Sequence, residues 1–354
     1  RAKHVLEQLR PQVVSADQLR RQVDLLLARC HGPLGAFDEQ LAVCESLLAD
    51  APELTAARRT AAAALVALGR PAEALELLER EPGTAAEEPT TLRAKGLLAM
   101  GQVEAAVELL TGAAARQPAD PQLQAARVEA IFRQQGPIAA REVLATIPAT
   151  LAKTPPLLAT RALLAASLPP DEAAETLATI ETAATQLPRD EQWSVLAAVA
   201  RHQATRGDRT AATRLWEAIL AAQPDDLAAA WELYDLAAST GDATATQARQ
   251  EAIEQIAGTA SADGRTARAG VLMLHVAAAM PDRDDIALDE ARHLLIEAEA
   301  ERPRWQRVHL LLAEAQRLRG NRVAERERLQ QAIASGPRHS AIVRRLIALL
   351  VADH

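Results

Sequence analysis

After Gly101, apolar side chains fall at Val103, Ala106, Val107, Leu109, Leu110 and Ala113. This is the i, i+3, i+4, i+7 stripe of a helix with one buried face. After Gly207 the same stripe runs through Ala211, Ala212, Leu215, Trp216, Ile219 and Leu220. Polar residues fill the opposite faces, and short turn motifs separate the stripes. One series of turns begins at Gly35, Gly69, Gly101, Gly136, Gly207, Gly241 and Gly320. The first four glycines are spaced by 34, 32 and 35 residues, and Gly241 follows Gly207 by 34. The two wider gaps, 71 and 79 residues, each hold two periods, the second with about ten residues to spare. A second series, Pro52, Pro118, Pro224, Pro303 and Pro337, marks the ends of the following helices. Glycine supplies the left-handed turn that closes one helix, and proline cannot continue the hydrogen-bond ladder of the next. The predicted unit is therefore helix, tight turn, helix, proline turn. Such a pair cannot bury its apolar face alone, so the core must come from stacking on neighbours.

The ends and one interruption extend this pattern. Val5, Leu6 and Leu9 before Pro11 predict the last helix of a preceding repeat or a cap over residues 1–15, with Ser15 as N-cap of a helix starting at Ala16. Residues 340–351 are too apolar for a solvated tail, so 339–354 is expected to dock as a capping helix or to begin a further repeat. Between Gly241 and Pro303 an insertion is expected. Gly258–Gly264 is its most flexible-looking stretch, and Pro281–Asp285 reads as an enlarged turn within a repeat.

Composition narrows the fold class to all-α. Of 354 residues, 49% are hydrophobic but only 2% are aromatic, so Ala and Leu carry the apolar fraction. Both are strong helix formers, whereas strands favour β-branched and aromatic residues. A net charge of -8 disfavours electrostatic capture of nucleic acid, and the few aromatics disfavour base stacking. No charge-free apolar run approaches the roughly 18 residues of a membrane span. Cys30 and Cys44 are read as buried free thiols, with pairing in an oxidising compartment left open. The chain begins at Arg1 and is read as a fragment; the compartment stays open between cytoplasm and periplasm.

The 34-residue punctuation resembles that of the tetratricopeptide repeat (TPR) family. With Gly207 at the family's turn glycine, Ala200 falls at the small site of the first helix. Ala212, Trp216 and Ile219 then fall at the packing sites of the second, and Pro224 at the terminal proline. The Gly101 unit fits through Ala94, Ala106, Leu110, Ala113 and Pro118, and the unit ending at Pro303 through Ala291, Leu295 and Ala298. The first unit fits through Leu27, Ala28, Gly35, Phe37, Cys44, Leu47 and Pro52. The resemblance implies a right-handed α-solenoid of about nine helix-turn-helix repeats over residues 16–338. This chain departs from the family in placing Ala, Leu or Gln at most of its large aromatic positions, and the unit around Pro169-Pro170-Asp171 lacks a turn glycine.

Known catalytic patterns are not found in the sequence. No Lys follows a Gly, no His precedes a Glu and no Ser stands in a G-x-S-x-G elbow. Cys30-His31 with Cys44 does not make a zinc site, and Asp282, Asp284 and Asp285 read as a solvated acidic turn. Paired carboxylates such as Glu87-Glu88 and Asp225-Asp226 suit helix starts. The expectation is a non-enzymatic scaffold without cofactor or metal. The resemblance implies a groove lined by the first helix of each repeat, here by Arg29, Arg59, Lys95, Arg133, Arg201, Trp231, Asp235 and Glu314. The first five suit an acidic peptide or terminal carboxylate. Trp231, near Tyr234, either anchors an apolar side chain of a partner or packs between repeats. Service within a bacterial envelope or secretion assembly fits the resemblance. The alternative is the regulatory or substrate-docking region of a larger enzyme.

Overall fold

The computed structural model describes residues 2–14, 16–32, 34–80, 89–279, 285–336 and 340–352. Ser15, Glu87, Glu88, Asp282, Asp284, Pro337 and most of the expected enlarged turn at Pro281–Asp285 lie outside these residues. The described part is all-α. After α1 (Ala2–Leu9) and a single 3-10 turn, α2 (Asp17–His31) pairs with α3 (Phe37–Asp50); α4 (Thr55–Ala67) and then α5 (Pro71–Glu79) follow in the chain, and α6 (Thr90–Ala99) pairs with α7 (Val103–Arg116). Next come α8 (Pro121–Gln135) with α9 (Pro137–Ala145), α10 (Pro155–Ala165) with α11 (Pro170–Ala184), and α12 (Arg189–Thr205) with α13 (Arg209–Ala222). The series ends with α14 (Leu227–Ala238) and α15 (Ala243–Ala257), α16 (Ala262–Ala278) and α17 (Asp285–Glu301), α18 (Gln306–Arg319) and α19 (Arg322–Ala334), then α20 (Ser340–Ala352). The helix expected to start at Ala16 starts at Asp17, with Ala16 at the N-cap position and no side-chain cap.

The punctuation explains these boundaries. All seven turn glycines adopt positive φ, from 66° at Gly35 to 88° at Gly207, a region that costs an L side chain about 1–2 kcal/mol. In three turns the next residue then opens the second helix. Asp208 caps Ala211 N at 3.0 Å, Asp242 caps Ala245 N at 2.9 Å and Asn321 caps Ala324 N at 3.1 Å. Pro52, Pro118, Pro224 and Pro303 each stand two residues beyond a helix end. The turn without glycine is closed differently. Arg206 Nη1 reaches the carbonyls of Ala165, Ala166 and Leu168 at 3.2–3.3 Å, so a guanidinium satisfies the orphan acceptors at the end of α10. Pro169 and Pro170 then start α11.

The second helices bury a common i, i+4, i+7 register. It reads Ala106, Leu110, Ala113 in α7; Ala173, Leu177, Ile180 in α11; Ala212, Trp216, Ile219 in α13; and Ala291, Leu295, Ala298 in α17. A small residue at the first site lets the paired helix approach, and the large one fills the gap between pairs, contributing about 1.5–3 kcal/mol. In α19 the register is Glu325, Leu329, Ala332. The buried Glu325 carboxylate accepts from Arg345 Nε of α20 at 2.7 Å, which ties the terminal helix down beside Ile342.

The helices form two compact units, Arg1–Arg70 together with Pro224–His354, and Pro71–Gln223. Within Pro71–Gln223 the first helices of successive pairs meet, α6 with α8, α8 with α10 and α10 with α12. Within the other unit α2 meets α4, α14 meets α16 and α16 meets α18. Among the described residues no second helix packs comparably on the second helix of the next pair.

Gly258–Gly264, expected to be the most flexible stretch of the insertion, is held by specific contacts instead. Gly258 ends α15 with φ +96°, and Ser261 Oγ donates to Gly258 O at 2.7 Å and accepts from Gly264 N at 3.0 Å. A side chain at Gly264 would collide with Gly258 O. This stretch is a tight inter-repeat turn, and α16 and α17, each 17 residues, absorb much of the added length.

Candidate interaction face and an aromatic–arginine cluster

The eight expected groove residues fall on one face of their helices. Arg59 and Trp231 stand ten residues before a turn glycine, Arg29, Lys95, Arg201, Asp235 and Glu314 six before, and Arg133 three before. These offsets are i, i+4 and i+7, a single stripe along each first helix. What the stripe presents differs between the units.

In Pro71–Gln223 the stripe is cationic and open. Lys95 on α6, Arg133 on α8 and Arg201 on α12 are exposed. Arg133 makes an i, i+4 pair with Glu129 at 2.9 Å, and the Arg201 guanidinium lies 5.4 Å from the ring centre of buried Trp216. The residues preceding Lys95 and Arg201, Ala94 and Ala200, are buried, so each cation stands at the edge of a contact between first helices. In the other unit Arg29 on α2 is exposed and Arg59 on α4 is half-buried.

The same stripe on α14 and α18 is occupied by its own side chains. Trp231 is only 8% exposed, and its Nε1 donates to Asp263 Oδ1 of α16 at 2.8 Å. It meets Tyr234 edge-on at 5.1 Å and Trp305 at 5.9 Å, and the Arg307 guanidinium lies 4.1 Å from its ring centre. Of the two roles weighed for Trp231, packing between repeats is the one its geometry matches. Arg307 also binds both oxygens of Asp235, and Glu314 is paired with Arg317 and, at 3.1 Å, with Arg345. Burial works against ionisation of Glu314, but the two guanidiniums outweigh it and lower its pKa. Asp263 goes the other way: burial raises its pKa even though Arg302, Trp231 and Arg307 face it.

Sequence reasoning singled out Trp231 and Asp235 but missed Arg302, Arg307 and Asp263. A signal was present in the repeats themselves. Two residues after the inter-repeat proline stand Asp120 and Asp226, which cap α8 and α14. The corresponding residue before α18 is Trp305, which makes no side-chain cap. Before the proline stand Ala51, Gln117 and Gln223, but here Arg302. Leu54 after Pro52 likewise makes no side-chain cap, so the departure that sets this turn apart is a charged, large side chain at 302 followed by an aromatic one at 305. The two stack, with the Arg302 guanidinium 3.9 Å from the Trp305 ring centre.

Among the described residues no group of three His, Cys, Asp or Glu side chains could hold a metal ion, and no helix is long and apolar enough to cross a membrane. Cys44 is buried and Cys30 half-buried, and both thiols are free.

No family model matches the chain, and no curated protein matches its sequence. Solved structures do resemble it. A chain of the APC/C hetero-tetramer Cut9-Hcn1 aligns with 97% of this chain at 13% identity and a TM-score of 0.44; this chain spans 59% of that one. Yeast Tom70 aligns with 99% at 11% identity and a TM-score of 0.38, over 96% of its own length. A tetratricopeptide repeat protein from Parabacteroides merdae aligns with 83% at 12% identity and a TM-score of 0.39, over 98% of its length. In fold, the described residues form an all-α array of successive helices.

Proposed function

We propose that the chain is a non-enzymatic scaffold that binds a protein or peptide partner on the first-helix face of Pro71–Gln223, and that the bound segment is acidic. One observation carries this reading. On that unit the first-helix stripe presents Lys95, Arg133 and Arg201 to solvent, whereas on α14 and α18 the same stripe is closed by Arg307–Asp235 and by Arg317, Glu314 and Arg345. Side chains packed against each other between repeats offer a partner little; solvent-exposed cations in register offer a row of carboxylate sites.

Magnitudes limit what the cations do. An exposed ion pair contributes about 0.2–1 kcal/mol, so three give a peptide at most about 3 kcal/mol. Micromolar binding needs about 8 kcal/mol. The remainder must come from apolar contact, and half-buried Leu98 stands one turn (i+3) from Lys95 on α6. The predicted ligand is therefore an acidic segment with interspersed apolar residues, and its affinity falls with salt.

An array of acidic, neutral and basic peptides probed with the intact chain tests the reading. Acidic–apolar peptides are expected to be retained, and retention is expected to vanish in a Lys95→Glu, Arg133→Glu variant with unchanged helical circular dichroism. Equal retention by the variant overturns it.

A further inference from the structure

Within the unit formed by Arg1–Arg70 and Pro224–His354, residues far apart in the chain touch at two places. At the first, Arg302 Nη2 donates to Gly35 O at 3.1 Å, and Arg302 Nε lies 3.4 Å from the Glu39 carboxylate. At the second, the backbones of Gly69 and Gly336 run so close that a Cβ on Gly69 would stand 3.0 Å from Gly336 O. Between the two contacts lies a cavity of about 230 Å³, with Phe37, Asp38, Leu68, Arg304, Trp305 and Gln306 among its lining residues.

The partners suit each other for a reason of local structure. The hydrogen-bond ladder of α3 starts at Ala36 O, which accepts from Gln40 N at 3.0 Å, so Gly35 O is left over at the mouth of the turn. Glu39 stands in the first turn of α3. Arg302 is buried to 9% exposure, a position that strongly disfavours a guanidinium unless it is paired. Within its own part of the chain it finds the Trp305 ring and Asp263 Oδ2 at 3.5 Å. Its remaining donors are directed at the turn before α3.

The pairs themselves show that Arg302 is not needed to join one repeat to the next. Ala51, Gln117 and Gln223 hold the corresponding position at the other inter-repeat prolines; Asp120 and Asp226 cap the next helix, whereas Leu54 and Trp305 do not. The substitution serves a contact outside the pair.

We propose that Arg302 is a clasp that locks the Gly35–Glu39 turn onto the Arg302–Trp305 turn and so decides whether α2–α4 are docked on α16–α19. In the docked state the guanidinium covers Trp305, and the cavity is formed. Release of the clasp separates the cavity walls and bares Phe37, Arg304 and Trp305 together as a new aromatic–cationic surface.

Hydrogen exchange on the intact chain tests the clasp, with Arg302→Gln and Glu39→Gln compared against the unaltered protein. Each variant is expected to raise exchange at least tenfold in both segments, 35–41 and 302–309, and to leave 103–116 unchanged. Glu39→Gln is decisive, because it leaves Arg302 and its own pair intact. Unchanged exchange at 302–309 in that variant overturns the proposal, as does an Arg302→Gln effect confined to α16–α18.

Discussion

Arg307 of α18 grips Asp235 of α14 through two hydrogen bonds, 2.6 and 2.7 Å long, although α16 lies between these helices in chain order and touches both. The bond pair joins first helices two repeats apart, with the same guanidinium lying over Trp231. Arg307→Lys keeps the charge but loses the fork and the stacking plane. Because Asp235 is largely exposed, the expected loss is small, about 1 kcal/mol, read as a lower denaturant midpoint at unchanged slope. An Asp235→Asn variant is expected to lose a similar amount, and the double variant less than the sum.

The small residues of α16 make this approach possible. Tyr234 Oη donates to Ala267 O at 2.9 Å, and a methyl at Gly270 would collide with that hydroxyl. Alanine in mid-helix ordinarily gains about 0.8–1.0 kcal/mol over glycine. At Gly270 the overpacking outweighs that gain, and Gly270→Ala is expected to destabilise by about 1–3 kcal/mol. In a Tyr234→Phe background most of that cost should disappear. Equal costs in both backgrounds, measured by thermal or urea unfolding, would contradict the assigned contact.

Two other glycines separate conformation from contact. Gly207 has φ +88° and nothing within 4 Å of an added Cβ, so Gly207→Ala carries backbone strain alone, about 1–2 kcal/mol of destabilisation. Gly112 lies inside α7, where an added Cβ meets Arg116 Nη1 at an ordinary 3.6 Å. Gly112→Ala is expected to stabilise by about 0.5–1 kcal/mol. Opposite signs in the two unfolding curves are the result to look for.

Burial pushes the Cys44 thiol up from 9.0 to about 12. A thiol reagent at pH 8 should therefore titrate Cys30 in the folded chain and both cysteines after unfolding. The folded pKa exceeds the unfolded one, so the stabilisation is fully present below about pH 9. It is lost as pH rises from there toward about 12. Two rapid equivalents from the folded protein would show that Cys44 is not buried.

How far the fold could be read from sequence depends on where each part of the information sits. Gly207 and Pro224 act locally, through positive φ and a missing N–H, and their spacing exposed the repeat directly. The register Ala212, Trp216, Ile219 is likewise a property of one helix. Gly258–Gly264 misled because its small polar residues suggest looseness; Ser261 instead ties the turn to Gly258 O and Gly264 N, and no stripe reveals that. The groove residues were legible as a stripe, but not the partners that close it on α14 and α18. Arg307 lies 72 residues from Asp235, and Arg302 lies 267 from Gly35. Only a comparison of Arg302 and Trp305 with the residues around the other inter-repeat prolines hints that this repeat faces something more.

The central claim is that the open cations of Pro71–Gln223 receive an acidic segment. Its most direct test is a calorimetric titration of one acidic–apolar peptide into the intact chain, the Lys95→Glu, Arg133→Glu variant and an Arg29→Glu variant. Binding to the intact chain is expected to weaken with added salt, to fall at least tenfold in the double variant, and to be unchanged in Arg29→Glu, which lies in the other unit. Binding to the double variant with the affinity of the unaltered protein would contradict it.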